Sequence, residues 1–148
     1  MTISPFDPKT VLLARHAQHV VLIHFPIALL IVGVGFDLFA QWRKNIALTS
    51  AAYYNLLIAA LSTPLVLASG ILAWRFQLEG ARLKGNLLTH LVLGSASTVL
   101  IWLVWWIHHH SRTKGRPLPS GRLPLELFTA LCVAVTGHLG GFLSGVNV

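Results

Sequence analysis

The run HAQHVVLIHFPIALLI, residues 16–31, decides the fold class. It opens on three histidines, His16, His19 and His24, and then continues without a charge through Pro26 to Phe36. Hydrocarbon about 30 Å thick needs ~20 apolar residues at ~1.5 Å each. The stretch from about 19 to 41 meets that length.

Three more segments do the same, at about 46–74, 86–107 and 125–146. The spans read as free of charge except the first, which holds Asp37 near its end. Composition agrees. Of 148 residues, 55% are hydrophobic and only 10% charged, and the mean hydropathy is +0.71. A soluble domain carries roughly a quarter charged residues, so this chain cannot clothe a water-facing surface. The expected fold is all-α: one transmembrane domain over 1–148, an up-down-up-down four-helix bundle joined by short connections. WRKN (42–45) is a tight turn, 75–85 a modest loop, and HHHSRTKGRPLPSGR (108–122) a Pro- and Gly-rich polar connection. Trp42, Trp74, Trp105 and Trp106 fall at span ends, where aromatic belts sit.

The net charge of +7 comes from 11 Lys+Arg against 4 Asp+Glu. The basic residues lie between and outside the apolar runs, which points to headgroups and topology rather than nucleic acid. Arg43, Lys44, Arg112, Lys114, Arg116 and Arg122 share one side; Lys9, Arg15, Arg75, Arg82 and Lys84 share the other. The dense 108–122 loop places the first side in the cytoplasm and both termini outside, in the periplasm of a bacterial inner membrane. The first apolar run is too long for a signal-peptide core, so no cleaved leader is expected. The single cysteine, Cys132, lies inside an apolar run and excludes an internal disulfide or a thiolate cluster.

Intramembrane histidines are the candidates for chemistry, because imidazole is costly in lipid and turns to the bundle interior. His24, His90 and His138 come from three spans and fall at one depth on the outer side. Neutral imidazoles from diagonal helices can ligate a b-type haem on both faces. Spans one and three are diagonal, which favours His24 with His90, leaving His138 to bond a propionate or substitute. His19 lies about 140° around the helix from His24, so a second haem on His19 and His138 is conceivable. His90, Gly94 and Ser97 share a face, and Gly137, Gly141 and Gly145 form a small-residue stripe that eases close approach. Arg75, Arg82 and Lys84 stand at the level of propionates. Another metal, or hydrogen bonding alone, are the competing readings of the histidines. His16 is interfacial, His108–His110 form a solvated cap, and Asp37 pairs with Arg43 or Lys44. Tyr53, Tyr54 and Asn55 line a small polar site or an interfacial belt.

These motifs resemble the bacterial membrane family called domain of unknown function 2231, whose first span opens with a run close to H-P-x-H-P-x-L-V-H-F-P-I-A-L. Residues 16–29 keep its three histidines and replace two prolines by Ala17 and Val20. Phe36-Asp37, His90 and the glycine-rich ending at 137–148 also fit. Relatives of this kind are joined to Rieske-type, c-type cytochrome or sugar-dehydrogenase-like modules, which implies electron transfer at the outer face. The reading is a membrane b-type cytochrome subunit with one or two haems. It would relay electrons between quinone and an outer redox partner, a cytochrome c or Rieske-type protein, within a larger complex. A cofactor-free or pigment-holding scaffold is the alternative, and a small transporter or metal-handling protein the third. Neither hydrolysis nor hydride transfer is expected, because nucleophile–base pairs and phosphate-binding glycine loops are missing.

Overall fold

A computed structural model describes residues 15–76 and 78–145, with side chains from Gln18 onward. The described chain is four helices and their connections: α1 (Arg15–Arg43), α2 (Ile46–Phe76), α3 (Gly85–Thr113) and α4 (Arg122–Leu143). All four are long and apolar enough to cross a membrane.

Neighbours in sequence pack as neighbours in space, and α4 returns to α1, which closes a ring with α1 diagonal to α3. The α1–α2 pair is the closest-packed. Small residues allow this: Ala52, Ala59 and Ala60 of α2 are fully buried, and a Cβ on Gly33 would come within 3.1 Å of Leu56. The core is a single apolar cluster running through Leu30, Val34, Leu56, Ile101, Val104 and Val133. The outer faces are apolar too. Val99 is 67% exposed, Leu65 62% and Leu131 61%, which is a surface for acyl chains rather than water.

The connections obey turn chemistry. α1 ends with Lys44 in the left-handed region at φ 50, and the Asn45 N–H donates to the Ala40 carbonyl. Asn45 then caps α2, its Oδ1 accepting from the N–H of Ala47 at 2.8 Å. The α2–α3 loop is pinned by Trp74, whose indole N–H donates to the Ala81 carbonyl at 2.9 Å.

The 108–122 segment departs from expectation. α3 continues to Thr113, so the three histidines are helical and the loop shrinks to 114–121. A helix need not stop at the hydrocarbon boundary. His109, His110 and Arg112 carry α3 into the headgroup layer with its hydrogen bonds intact. The end holding Lys44, 114–121 and the start of α4 is called the basic end below, and the opposite end the histidine end.

Candidate functional site

The fourth span is not charge-free, and this makes the site. On α4, Arg122, Glu126, Thr129 and Val133 are buried along one stripe at i, i+4, i+7 and i+11. The stripe of α3 runs Ser97, Ile101, Val104, His108 and Ser111. That of α1 runs Leu30, Val34 and Asp37. At the basic end these three inward faces bring four ionisable side chains together. Asp37 is 0% exposed, Glu126 1%, His108 3% and Arg122 7%.

Two bonds tie the group. The Arg122 Nε–H donates to Asp37 Oδ2 at 2.8 Å, and the same guanidinium reaches the Pro119 carbonyl from Nη1 at 3.2 Å. His108 Nε2 lies 2.8 Å from Glu126 Oε1. Donor atoms of Asp37, His108 and Glu126 all fall within 4.8 Å of one another. Asp37 Oδ1 and Glu126 Oε2 are buried without a hydrogen-bond partner. Two carboxylates and an imidazole would attract a divalent cation. Arg122 already supplies one positive charge to Asp37, which weakens the pull of the group on a second cation. The set is better suited to a proton.

The group is open to the basic end. His108 lines a cavity of about 260 Å³, shared with Tyr53 and Arg112. Tyr53 OH lies 3.1 Å from His109 Nδ1, and the His109 ring stacks on Trp105 at 4.9 Å. His108 is therefore not part of a solvated cap, because it lies on the inward stripe of α3. His110, two residues on, is exposed as expected. Nor does Asp37 pair with Arg43 or Lys44. Arg43 ends α1 and Lys44 forms the turn, and both are exposed, whereas Arg122 faces Asp37 across α1 and α4. Tyr54 is half-exposed, and the Asn55 amide donates to the Ala51 carbonyl of its own helix.

At the histidine end the expected ligands do not converge. His24 is exposed, and its Nδ1–H donates to the Val20 carbonyl of its own helix at 2.6 Å. It sits about 120° around α1 from Leu30, off the inward stripe. His138 lies about 140° from Val133, is exposed, and its ring meets that of Phe142 edge-on at 5.0 Å. His90 does point inward. Its Nδ1–H donates to the Thr136 carbonyl at 3.1 Å, and its Cε1 is 3.2 Å from where a Cβ on Gly140 would lie. His19 points inward as well, toward α2, with Nδ1 at 2.9 Å from Ser69 Oγ and Cε1 3.0 Å from a Gly70 Cβ position. The inward imidazoles of diagonal helices are thus His19 and His90, each turned onto a glycine of its hairpin partner. On α4 Gly140 is approached more closely than Gly137 of the expected stripe, whose Cβ position is 3.6 Å from Ile27 of α1. Arg75 and Arg82 are exposed at this end. The side chain of His16 lies outside the described residues.

Between the two ends lies a cavity of about 70 Å³, lined by Pro26, Ile27, Thr63, His90, Ser97 and Thr136 among others. Tetrapyrrole-sized ligands need pockets on the order of 300 Å³ or more. With His24 and His138 turned outward and the centre this tight, the residues as packed do not fit a haem between the helices. The hydroxyls of the centre are instead bonded to one another: Ser97 Oγ to Thr136 Oγ1 at 3.2 Å, and the Trp102 indole N–H to Thr63 Oγ1 at 3.0 Å.

The family of predicted membrane proteins DUF2231 matches residues 15–146, nearly the whole chain. The chain belongs to that family. A four-span bundle is thereby a property of a DUF2231 member in which every span is described. No curated protein and no solved structure matches it. Membership therefore leaves function to the geometry of the DUF2231 bundle itself.

Proposed function

We propose that this chain is a proton-handling membrane subunit, which takes protons from water at its basic end into the bundle through His108 and Glu126. The observation that carries the reading is a count of buried charge. Two carboxylates, Asp37 and Glu126, face one guanidinium, Arg122, and one imidazole, His108, all nine-tenths or more buried. Charge in a low-dielectric interior is tolerated only when balanced. With a neutral imidazole the group is one proton short of neutrality, and the His108–Glu126 bond is where that proton is held.

The surroundings suit exchange. Tyr53 from α2 and His109 and Arg112 from α3 stand on the water side of the group; Arg122, the first residue of α4, closes it beneath the 114–121 loop and holds Asp37. His108 spans the two, lining the basic-end cavity while its Nε2 meets Glu126. An imidazole can accept a proton at one nitrogen and release one at the other. Thr129, 0% exposed and one turn beyond Glu126, is the next polar side chain of the α4 stripe, its hydroxyl donating to the Leu125 carbonyl. Intramembrane ionisable residues mark such paths by default.

The test is proton flux in vesicles loaded with a pH-sensitive dye and driven by a potassium diffusion potential. Wild-type protein should acidify or alkalinise the lumen faster than protein-free vesicles. Glu126→Gln should abolish the difference, and His108→Gln should reduce it at least tenfold. Wild-type flux equal to that of protein-free vesicles overturns the reading.

A second reading, an electron-carrying subunit in a bacterial inner membrane with its basic end in the cytoplasm, requires the helices to part around a group that the centre as packed does not admit, and draws support from one observation. His19 and His90 come from diagonal helices at the same end of the bundle, and both face inward. A reduced-minus-oxidised spectrum of the purified protein decides it. A sharp α-band lost on His90→Ala supports it, and a flat spectrum excludes it.

A further inference from the structure

We propose that the cavity at the basic end is a binding site for a phosphate group. Its lining residues include Arg112 and Arg116, with Thr49, Tyr53, Ser111 and His108; the Thr49 hydroxyl already donates to the Asn45 carbonyl and His108 Nε2 is held by Glu126, so the two guanidiniums are the donors on which the site depends. No carboxylate lines it. Pro117 and Leu118 close one side. The inference stands apart from the proton-handling reading, because it needs only these donors and their missing counter-charge.

That counter-charge is the argument. Six cationic residues sit at this end, Arg43, Lys44, Arg112, Lys114, Arg116 and Arg122, against two carboxylates, Asp37 and Glu126. Both carboxylates are already engaged in the buried group, one by Arg122 and one by His108. Arg112 and Arg116 nonetheless line one cavity four residues apart, where like charges repel. Aromatic faces hold the first of them in place. Its Cζ lies 4.8 Å from the Tyr53 ring centroid and 5.5 Å from that of Tyr54. Stacking of this kind fixes a guanidinium while leaving its N–H edge free for an oxyanion. Arg116 is placed by its own backbone, whose N–H donates to the Ser111 carbonyl at 2.9 Å.

One effect opposes the site. The C-terminal end of α3 carries partial negative charge, equivalent to roughly half an electron. It is outweighed here, since N–H groups of Lys114, Gly115 and Arg116 already close the last-turn carbonyls of His110, Arg112 and Ser111, and two full positive charges face the cavity. Phosphate suits the remaining geometry, because a tetrahedral oxyanion accepts from several directions at once. The cavity lies where α3 leaves the membrane, so the phosphate can belong to an anionic lipid headgroup or to free phosphate in water.

The experiment places the full chain in nanodiscs of phosphatidylcholine. One arm titrates inorganic phosphate by calorimetry; the other adds phosphatidic acid to the bilayer and measures lipid retained by native mass spectrometry. Binding in either arm that weakens at least tenfold in Arg112→Gln/Arg116→Gln supports the site, and the arm that responds names the source. Arg116→Gln alone, on an exposed loop residue, should weaken binding several-fold without unfolding. Arg75→Gln/Arg82→Gln, the same loss of charge on exposed residues of the histidine end, should bind as wild type, which separates a local site from net charge. Equal retention and equal heats in wild type and the double variant overturn the proposal.

Discussion

Arg122 and Asp37 stand 85 positions apart in the chain and form one bond in the membrane. Removing one partner of a buried pair leaves the other charged and unsolvated, at a cost of about 3–5 kcal/mol. Arg122→Gln should therefore destabilise the bundle strongly, read as a lower midpoint in detergent unfolding. Asp37→Asn in the same chain should recover much of that loss, because the orphaned charge is gone; no recovery would show that Arg122 acts mainly through Pro119. The sequence displays Asp37 as a lone charge in an apolar run, so its need of a partner is legible. The partner's identity is not, because it depends on α4 folding back beside α1. His108 is a harder case. In the run of three histidines nothing local separates it from His110. The register of Ile101, Val104 and Ser111 does, since only His108 shares their face.

Helix pairs here are set by glycines that each receive an imidazole. A methyl on Gly70 would meet His19 at 3.0 Å, and one on Gly140 would meet His90 at 3.2 Å. Both rings are held by a hydrogen bond on Nδ1, so neither can turn away without losing it. Overpacking at Gly70 or Gly140 costs about 1–3 kcal/mol, against up to ~1 kcal/mol of helix propensity gained, so Gly70→Ala and Gly140→Ala should both be less stable than Gly35→Ala. Gly35→Ala is the control: nothing lies within 4 Å, and alanine gains up to ~1 kcal/mol of helix propensity, so it should be neutral or stabilising in the same unfolding assay. Span existence was plain from hydropathy, because each segment far exceeds the length of a soluble core helix. Which histidines face inward was obscured by reasoning on depth alone. His24, His90 and His138 share a level, but only angular position decides what a side chain meets, and on that measure His19 and His90 lie about 20° from their inward stripes.

Orientation of the whole bundle is finely balanced. In the sequence, six basic residues assigned to one end against five to the other give a slight bias, and folding removes it, because Arg122 is buried against Asp37 and presents no free charge to the headgroups. What distinguishes the ends is density: Arg112, Lys114 and Arg116 are exposed within five residues. Short loops weigh most in setting topology, so these residues should hold the basic end in the cytoplasm. The expectation can be read by cysteine labelling in intact cells. Cys132 is replaced by Ala, and Ser120→Cys or Ala81→Cys reports one connection each; both positions are exposed. In the otherwise native chain Ala81→Cys should react with an impermeant maleimide and Ser120→Cys should not. Adding Lys114→Gln and Arg116→Gln should turn a fraction of chains over, so that Ser120→Cys reacts as well. Unchanged one-sided labelling would mean that contacts with neighbouring subunits, rather than these charges, fix the direction in which the bundle spans the bilayer.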